Sequence, residues 1–206
     1  MQRDGINLPN LYVGLVHYPV YNKRGNIVCT AVTNLDIHDI ARCAKTFGVQ
    51  VGYIINPLDS QKTLVKRIIH HWTEGAGALY NPARKQALER IQVRTTLKEV
   101  IEEISEAHHT PVKTVATDAR WQRRTVSYRK MHELLCDRPQ PYLLVLGTGW
   151  GLAREVLEES DYILAPIEGT FTYNHLSVRS AAAVILDRLV GNRQRGGTEN
   201  GFHRNN

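Results

Sequence analysis

Apolar runs of strand length alternate with amphipathic segments along nearly the whole chain, the pattern of a parallel sheet covered by helices. A first strand is expected at Leu11 to His17, and a turn-like Tyr21-Asn22-Lys23-Arg24-Gly25-Asn26 separates it from a second near Ile27 to Val32. Asp36 to Phe47 has helical spacing: Ile37, Ile40, Ala41 and Ala44 make the apolar stripe, Asp36 is a suitable N-cap, and Gly48 is placed to end it. Val49 to Ile55 reads as the next strand, closed by Asn56-Pro57. A longer helix from Ser60 to Trp72 carries Leu64, Val65, Ile68 and Ile69 and stops at Gly75-Ala76-Gly77.

After the loop Tyr80-Asn81-Pro82 the pattern gives a short helix through Leu88 and a strand at Ile91 to Arg94. Thr96-Leu97-Lys98-Glu99 has the form of a capping box and starts a helix toward Ala107. Strands at Val112 to Ala116, Tyr142 to Leu146 and Tyr162 to Leu164 follow, with helices at Leu152 to Glu159 and Leu176 to Leu189. Ala181-Ala182-Ala183 in the last helix permits close packing. From Gly191 the composition turns to Gly, Asn, Arg and Gln, so a single domain over residues 1–190 is expected to end in a flexible basic tail over 191–206.

Composition narrows the class. Of 206 residues, 42% are hydrophobic and 22% charged, enough for a real core and too apolar for wholesale disorder. The 26 Lys and Arg exceed the 20 Asp and Glu by six, which favours a polyanionic partner, with RNA or DNA ahead of an anionic membrane. Cys29, Cys43 and Cys136 are odd in number and widely spaced, the pattern of neither a disulfide framework nor a zinc site, and a reducing cytoplasm is the expected compartment. Neither a signal peptide nor a membrane span is expected, because the apolar runs are short and bounded by charge.

Four segments carry candidate chemistry. Gly147-Thr148-Gly149-Trp150-Gly151 follows a strand and precedes a helix, so its backbone amides can approach a ligand; it lacks the full dinucleotide-binding spacing, and a tight turn without a ligand fits it too. Pro166-Ile167-Glu168-Gly169 and Tyr173 to Ser180 form a second loop and helix start after the next strand. Two such loops at the ends of adjacent strands mark where open α/β sheets bind ligands, although His175 and Arg179 taken singly fit a polar helix start and a surface charge. Arg120, Arg123, Arg124, Arg129 and Lys130 crowd an acid-free stretch interleaved with Trp121 and Tyr128, a pattern suited to phosphates and unpaired bases and equally to a solvated loop. Thr33 to Arg42 concentrates Asp36, His38, Asp39 and Arg42 at a helix start, more polar groups than capping requires.

The order of these motifs resembles the SPOUT superfamily of S-adenosylmethionine-dependent RNA methyltransferases, over residues 8–190, and is similar to a stand-alone bacterial branch of it. Asp36 through Arg42, Ala44 and Phe47-Gly48 match the first motif of the ribose-methylating members, Leu146 to Leu152 the second, and Ala165-Pro166-Ile167 with Leu176-Ser177-Val178 through Ala183 the third. The resemblance implies an α/β fold, a mostly parallel sheet flanked by helices, with a deep C-terminal trefoil knot that ordinary topology rules would not suggest. It implies S-adenosylmethionine as cofactor, held by Ala116, Thr117, Gly147, Thr148, Gly149, Gly151, Ile167, Asn174, Leu176 and Ser180. It also implies a homodimer with the active site at the subunit interface, and Arg42 acting on the substrate.

Methyl transfer is an in-line displacement, so the protein must align the acceptor and remove a proton. Arg42 suits a developing alkoxide or a neighbouring phosphate, Asp36, His38 or Asp39 the proton, and Arg120, Arg123 and Arg124 the RNA. The expected function is methylation of tRNA or rRNA at a ribose 2′-hydroxyl or a base nitrogen. The acceptor stays open because Asp36, Gly149 and Ser177 stand where the ribose-methylating enzymes usually have Asn, Glu and Asn. The competing classes are an RNA-binding module that kept the fold without catalysis, and a dinucleotide-dependent oxidoreductase built on Gly147 to Gly151. The latter lacks a suitably placed ribose-binding acid, since Asp161 comes too early.

Overall fold

The computed structural model describes residues 9–137, 140–171 and 173–191. Residues 192–206, nearly all of the expected tail, lie outside them. The strands are β1 (Leu11–Val16), β2 (Val20–Tyr21), β3 (Ile27–Val28), β4 (Gly52–Ile55), β5 (Ile91–Arg94), β6 (Lys113–Thr117), β7 (Thr125–Val126), β8 (Tyr142–Gly147) and β9 (Tyr162–Leu164). The helices are α1 (Asn34–Thr46), α2 (Asp59–Thr73), α3 (Ala76–Tyr80), α4 (Pro82–Leu88), α5 (Leu97–His108), α6 (Tyr128–Asp137), α7 (Arg154–Glu159) and α8 (Val178–Val190).

Seven strands form one parallel sheet in the order β5-β4-β1-β8-β6-β9-β7, and β2 and β3 form a separate antiparallel hairpin. β8, late in the chain, lies between β1 and β6, with Leu11 opposite Tyr142 and Val16 opposite Gly147. β1 is buried at every position, as a central parallel strand covered on both faces must be. Its side chains alternate between two cores. Leu11, Val13 and Leu15, with Leu144 and Leu146 of β8, pack toward α1, α6 and α8. Tyr12 and Val16, with Leu143 and Val145, pack toward α5 and α7. Helices thus cover both faces, and every strand of the sheet opens its C-terminal end onto one edge.

Several expected boundaries are corrected. Thr33, not Asp36, is the N-cap of α1: the Thr33 side chain accepts from the Asp36 amide at 3.2 Å, while Asp36 Oδ2 accepts from the Thr33 amide at 3.1 Å. The strand expected over Ile27 to Val32 contracts to Ile27–Val28, because Thr30 instead bonds to the end of β1. α2 does stop just before Gly75 as expected, but Gly75 then serves as the N-cap of a short helix, α3, that the pattern did not give. At Thr96 only half of the expected box forms, since Glu99 Oε2 accepts from the Thr95 amide rather than that of Thr96. Leu152 is bridged to Val20, which delays α7 to Arg154. The basic stretch read as a candidate loop contains β7 and the start of α6.

Candidate active site

The C-terminal ends of β1, β8, β6 and β9 lead directly into His17, Thr148, Asp118 and Ala165, so four strand-end loops meet at one edge of the sheet. The glycine loop owes its shape to its neighbours. A Cβ on Gly147 would lie 2.7 Å from the Leu152 amide nitrogen, and one on Gly149, at φ +60°, 2.8 Å from the Tyr21 carbonyl. Gly151, at φ +101°, has nothing within 4 Å of a Cβ and opens on free space. The Trp150 amide donates to Tyr21 and the Tyr21 amide to Gly151, each at 2.9 Å, which docks the loop on the hairpin.

Thr148 points inward. Its hydroxyl donates to the Val16 carbonyl at 3.0 Å and lies 2.6 Å from the Thr30 hydroxyl, which lies 3.0 Å from His17 Nδ1. That chain of donors assigns the Nδ1 proton to His17 and leaves its buried Nε2 without a partner. Burial drives the His17 pKa down to about 4, against the opposing pull of Asp36. Asn56, also fully buried, donates to the Thr30 carbonyl and accepts from Cys29 Sγ and the Leu58 amide. Of this cluster only Thr148 was marked in the sequence as a candidate site residue. The available signal was a polar residue at the end of each of two buried runs, His17 after Leu11 to Val16 and Asn56 after Gly52 to Ile55.

On the other side of the glycine loop, Ala116 is buried between β8 and β9, and Thr117 donates to the Val145 carbonyl at 3.0 Å. The loop after β6 and the loop after β9 are tied together. Asn174 Nδ2 donates to Ala119 O at 2.9 Å, and Trp121 Nε1 to Glu168 Oε1 at 3.0 Å. Ile167 is half-buried against the core, and Leu176 is exposed. Ser177 caps α8 by accepting from the Ser180 amide at 3.2 Å. A nucleoside-bearing cofactor would find half-buried Ile167, exposed Leu176 and a glycine that opens on free space at Gly151, whereas the Ala116 side chain is fully buried in the core facing α5 and α7.

The α1 cluster adjoins this edge. Arg179, read from sequence as a surface charge, instead joins two helices: Nε is 3.3 Å from Asp36 Oδ1 and Nη1 is 3.1 Å from Asp39 Oδ2. Asp36 therefore has both oxygens engaged, one in the helix cap and one with Arg179. Arg42 and Asp39 line a cleft of about 480 Å³ between α1 and α8, together with Ser177, Arg179 and Ser180. Arg42 is exposed and, among the described residues, has no acidic partner. His38 turns the other way, edge-on to Trp72 at 5.4 Å, with Nδ1 buried and unpartnered. Burial first, then the Arg84 and Arg42 charges, lower its pKa against the pull of Asp39, which favours the neutral ring.

The cationic segment is largely balanced from outside itself. Arg120 pairs with Asp118, Arg129 and Lys130 with Glu133, and Arg124 donates to the carbonyls of Leu157 and Glu158. Arg123 is exposed. Asp161 is spent on Lys113 and Thr114, far from a ribose-binding role.

A sheet with ligand loops at one edge, flanked by helices, defines the class. Residues 10–191 match the family of SAM-dependent RNA methyltransferases, and the chain belongs to that family. A tRNA (guanine-N(1)-)-methyltransferase of Oleidesulfovibrio alaskensis is 44% identical over 182 residues, covering 88% of this chain and 42% of that protein. A protein of the same name from Nitratidesulfovibrio vulgaris is 45% identical over 184 residues, covering 88% and 42%. The chain thus spans less than half the length of these two relatives. An Aquifex aeolicus protein is 39% identical over 180 residues, covering 87% of this chain and 88% of its own. Among solved structures, a probable methylase family protein from Haemophilus influenzae superposes with a TM-score of 0.59 at 16% identity, covering 94% of this chain and 72% of that one. The SpoU methyltransferase AviRb from Streptomyces viridochromogenes, in complex with AdoMet, gives 0.53 at 18%, covering 95% and 61%. These superpositions support the SPOUT-type fold.

Proposed function

We propose that this chain transfers a methyl group from S-adenosylmethionine to tRNA or rRNA, at a ribose 2′-hydroxyl or a base nitrogen, as a cytoplasmic homodimer. The observation that carries this reading is the convergence at one sheet edge of the glycine loop, the loop after β9 and the N-termini of α1 and α8. The relatives named as tRNA methyltransferases make tRNA the first substrate to test.

Ala116, Thr117, Gly147, Gly149, Gly151, Ile167, Asn174, Leu176 and Ser180 hold the cofactor in this reading, and Thr148 fixes the loop from beneath. When bound, the cofactor supplies a methyl group on a cationic sulfur. Arg42 holds a substrate phosphate or the negative charge that develops on the acceptor. Of the expected proton acceptors, Asp39 shares the cleft with Arg42 and takes up the acceptor proton, whereas His38 faces Trp72 and Asp36 is engaged by the helix cap and Arg179. Asp36 holds α1 in register through its cap and Arg179, while exposed Arg123 extends the RNA contact, Arg120 and Arg124 being engaged by Asp118 and by the Leu157 and Glu158 carbonyls. The C-terminal portion is assigned to a trefoil knot in this reading, on the family resemblance; the place of β8 between β1 and β6 and the contact of α8 with α1 agree with it.

Labelled methyl transfer to total RNA, followed by nucleoside mass spectrometry, tests the reaction and separates ribose from base products. Absence of S-adenosylmethionine binding by folded protein would sink the proposal. Arg42→Ala is expected to lower turnover about 100-fold or more while cofactor affinity holds. An unchanged rate removes Arg42 from the mechanism.

A further inference from the structure

Residues 59–94 contain seven Lys and Arg against three Asp and Glu, a surplus of four within a chain whose total is six. Packing leaves much of it unbalanced. Lys62 is paired with Asp59, Lys85 with Glu89 and Arg94 with Glu103, and Arg90 donates to the carbonyls of Val49 and Gln50. Lys66 and Arg67 are exposed on α2 and, among the described residues, have no acidic partner. α2 lies lightly on the sheet, with Val65 its one fully buried position. Beside it a groove of about 510 Å³ runs along the outer strand β5, lined by Lys62, Lys66, His70 and Arg94.

The same corner carries flat groups. Arg84 lies over the Trp72 ring at 4.4 Å and His71 stands edge-on to it at 5.1 Å. Tyr80, 86% exposed, closes α3 two residues before α4 begins. Packing explains Trp72, which abuts Gly77, but not the open ring of Tyr80. His38 also meets Trp72 edge-on, at 5.4 Å, and stands four residues before Arg42, so this surface begins about one helical turn, roughly 5 Å, from the cleft.

We infer that α2, α3 and α4 form a second RNA-contacting surface, in which Lys66 and Arg67 grip backbone phosphates and Tyr80 with the Arg84–Trp72 pair stacks unpaired bases beyond the reacting nucleotide. The chemistry fits a single-stranded or loop region of RNA: unneutralised cations bind the phosphates, and aromatic and guanidinium planes accept bases without selecting sequence. The inference rests on the RNA reading above. It differs from the basic segment at Arg120 to Lys130, where most cations are already matched by acids or carbonyls.

The test is the affinity of the full chain for unfractionated tRNA at several salt concentrations, for wild type, Lys66→Glu/Arg67→Glu and Tyr80→Ala. S-adenosylmethionine binding and sedimentation serve as controls for folding and assembly. The charge-reversed pair is expected to bind tRNA at least about tenfold more weakly and to flatten the logarithmic salt slope by about two, one per lost phosphate contact. Tyr80→Ala is expected to lose about fivefold or more without changing that slope. RNA affinity equal to wild type in both folded variants overturns the inference and leaves the methyltransferase reading intact. So does a change in assembly mass with RNA affinity unchanged, which would make this face a protein contact. Failure of wild type to bind any RNA overturns both readings together.

Discussion

His17 ends the apolar run of β1 with its imidazole fully buried, one nitrogen committed to Thr30 and the other unpartnered. Its pKa is about 4 in the folded chain, against an ordinary 6.5. Between those values the unfolded chain binds a proton that the folded chain refuses. Stability therefore rises with pH across this window, is complete above it and is lost as pH falls toward 4; the gap corresponds to about 3 kcal/mol. Denaturant midpoints measured from about pH 4.5 to 7.5 should show this slope, and His17→Gln should flatten it. An identical slope in the variant would assign the effect to another group. Arg42 belongs to the opposite kind of residue, exposed and, among the described residues, without an acidic partner.

Elements were more legible than the residues that join them. The apolar patterns located β1, β8 and most of the longer helices, because burial on both faces of β1 and β8 writes a continuous apolar run into the chain, but they missed the ten-residue α6, whose start lies in the basic run read as a candidate loop. α3 and β7 were not legible: five and two residues are too few to carry a period. Thr33 lost to Asp36 in the sequence reading because both are capping types, and only the reciprocal bonds show which is which. The Arg179 bridge spans well over a hundred positions, beyond the reach of local pattern. Arg179→Ala should cost about 1 kcal/mol, a partly exposed pair's worth, and lower the melting temperature by about 2–4 °C. Lys at 179 should not restore it, since one ammonium cannot serve both carboxylates as the guanidinium does. Zero coupling in a double-mutant cycle with Asp39→Asn would refute the bridge as a stabilising link.

For the whole molecule, the arrangement of exposed apolar groups bears on assembly. Leu35 at the start of α1 and Leu176 just before α8 are 57% and 50% exposed, and Arg179 holds the two helix starts together. If the proposed homodimer forms through this end, Leu35→Glu and Leu176→Glu should shift the sedimenting species toward the 23.4 kDa monomer. A monomeric wild type would exclude a shared active site.

The position of β8 has a consequence for how the chain acquires its structure. β1 needs a partner on each side, and one of them is not translated until residue 147. The central strand pair must therefore close a loop of more than a hundred residues before either core is complete. On the ribosome, the first two thirds of the chain wait with β1 open along one edge, and the glycine loop takes shape only after the strand that leads into it has slotted into the middle of the sheet.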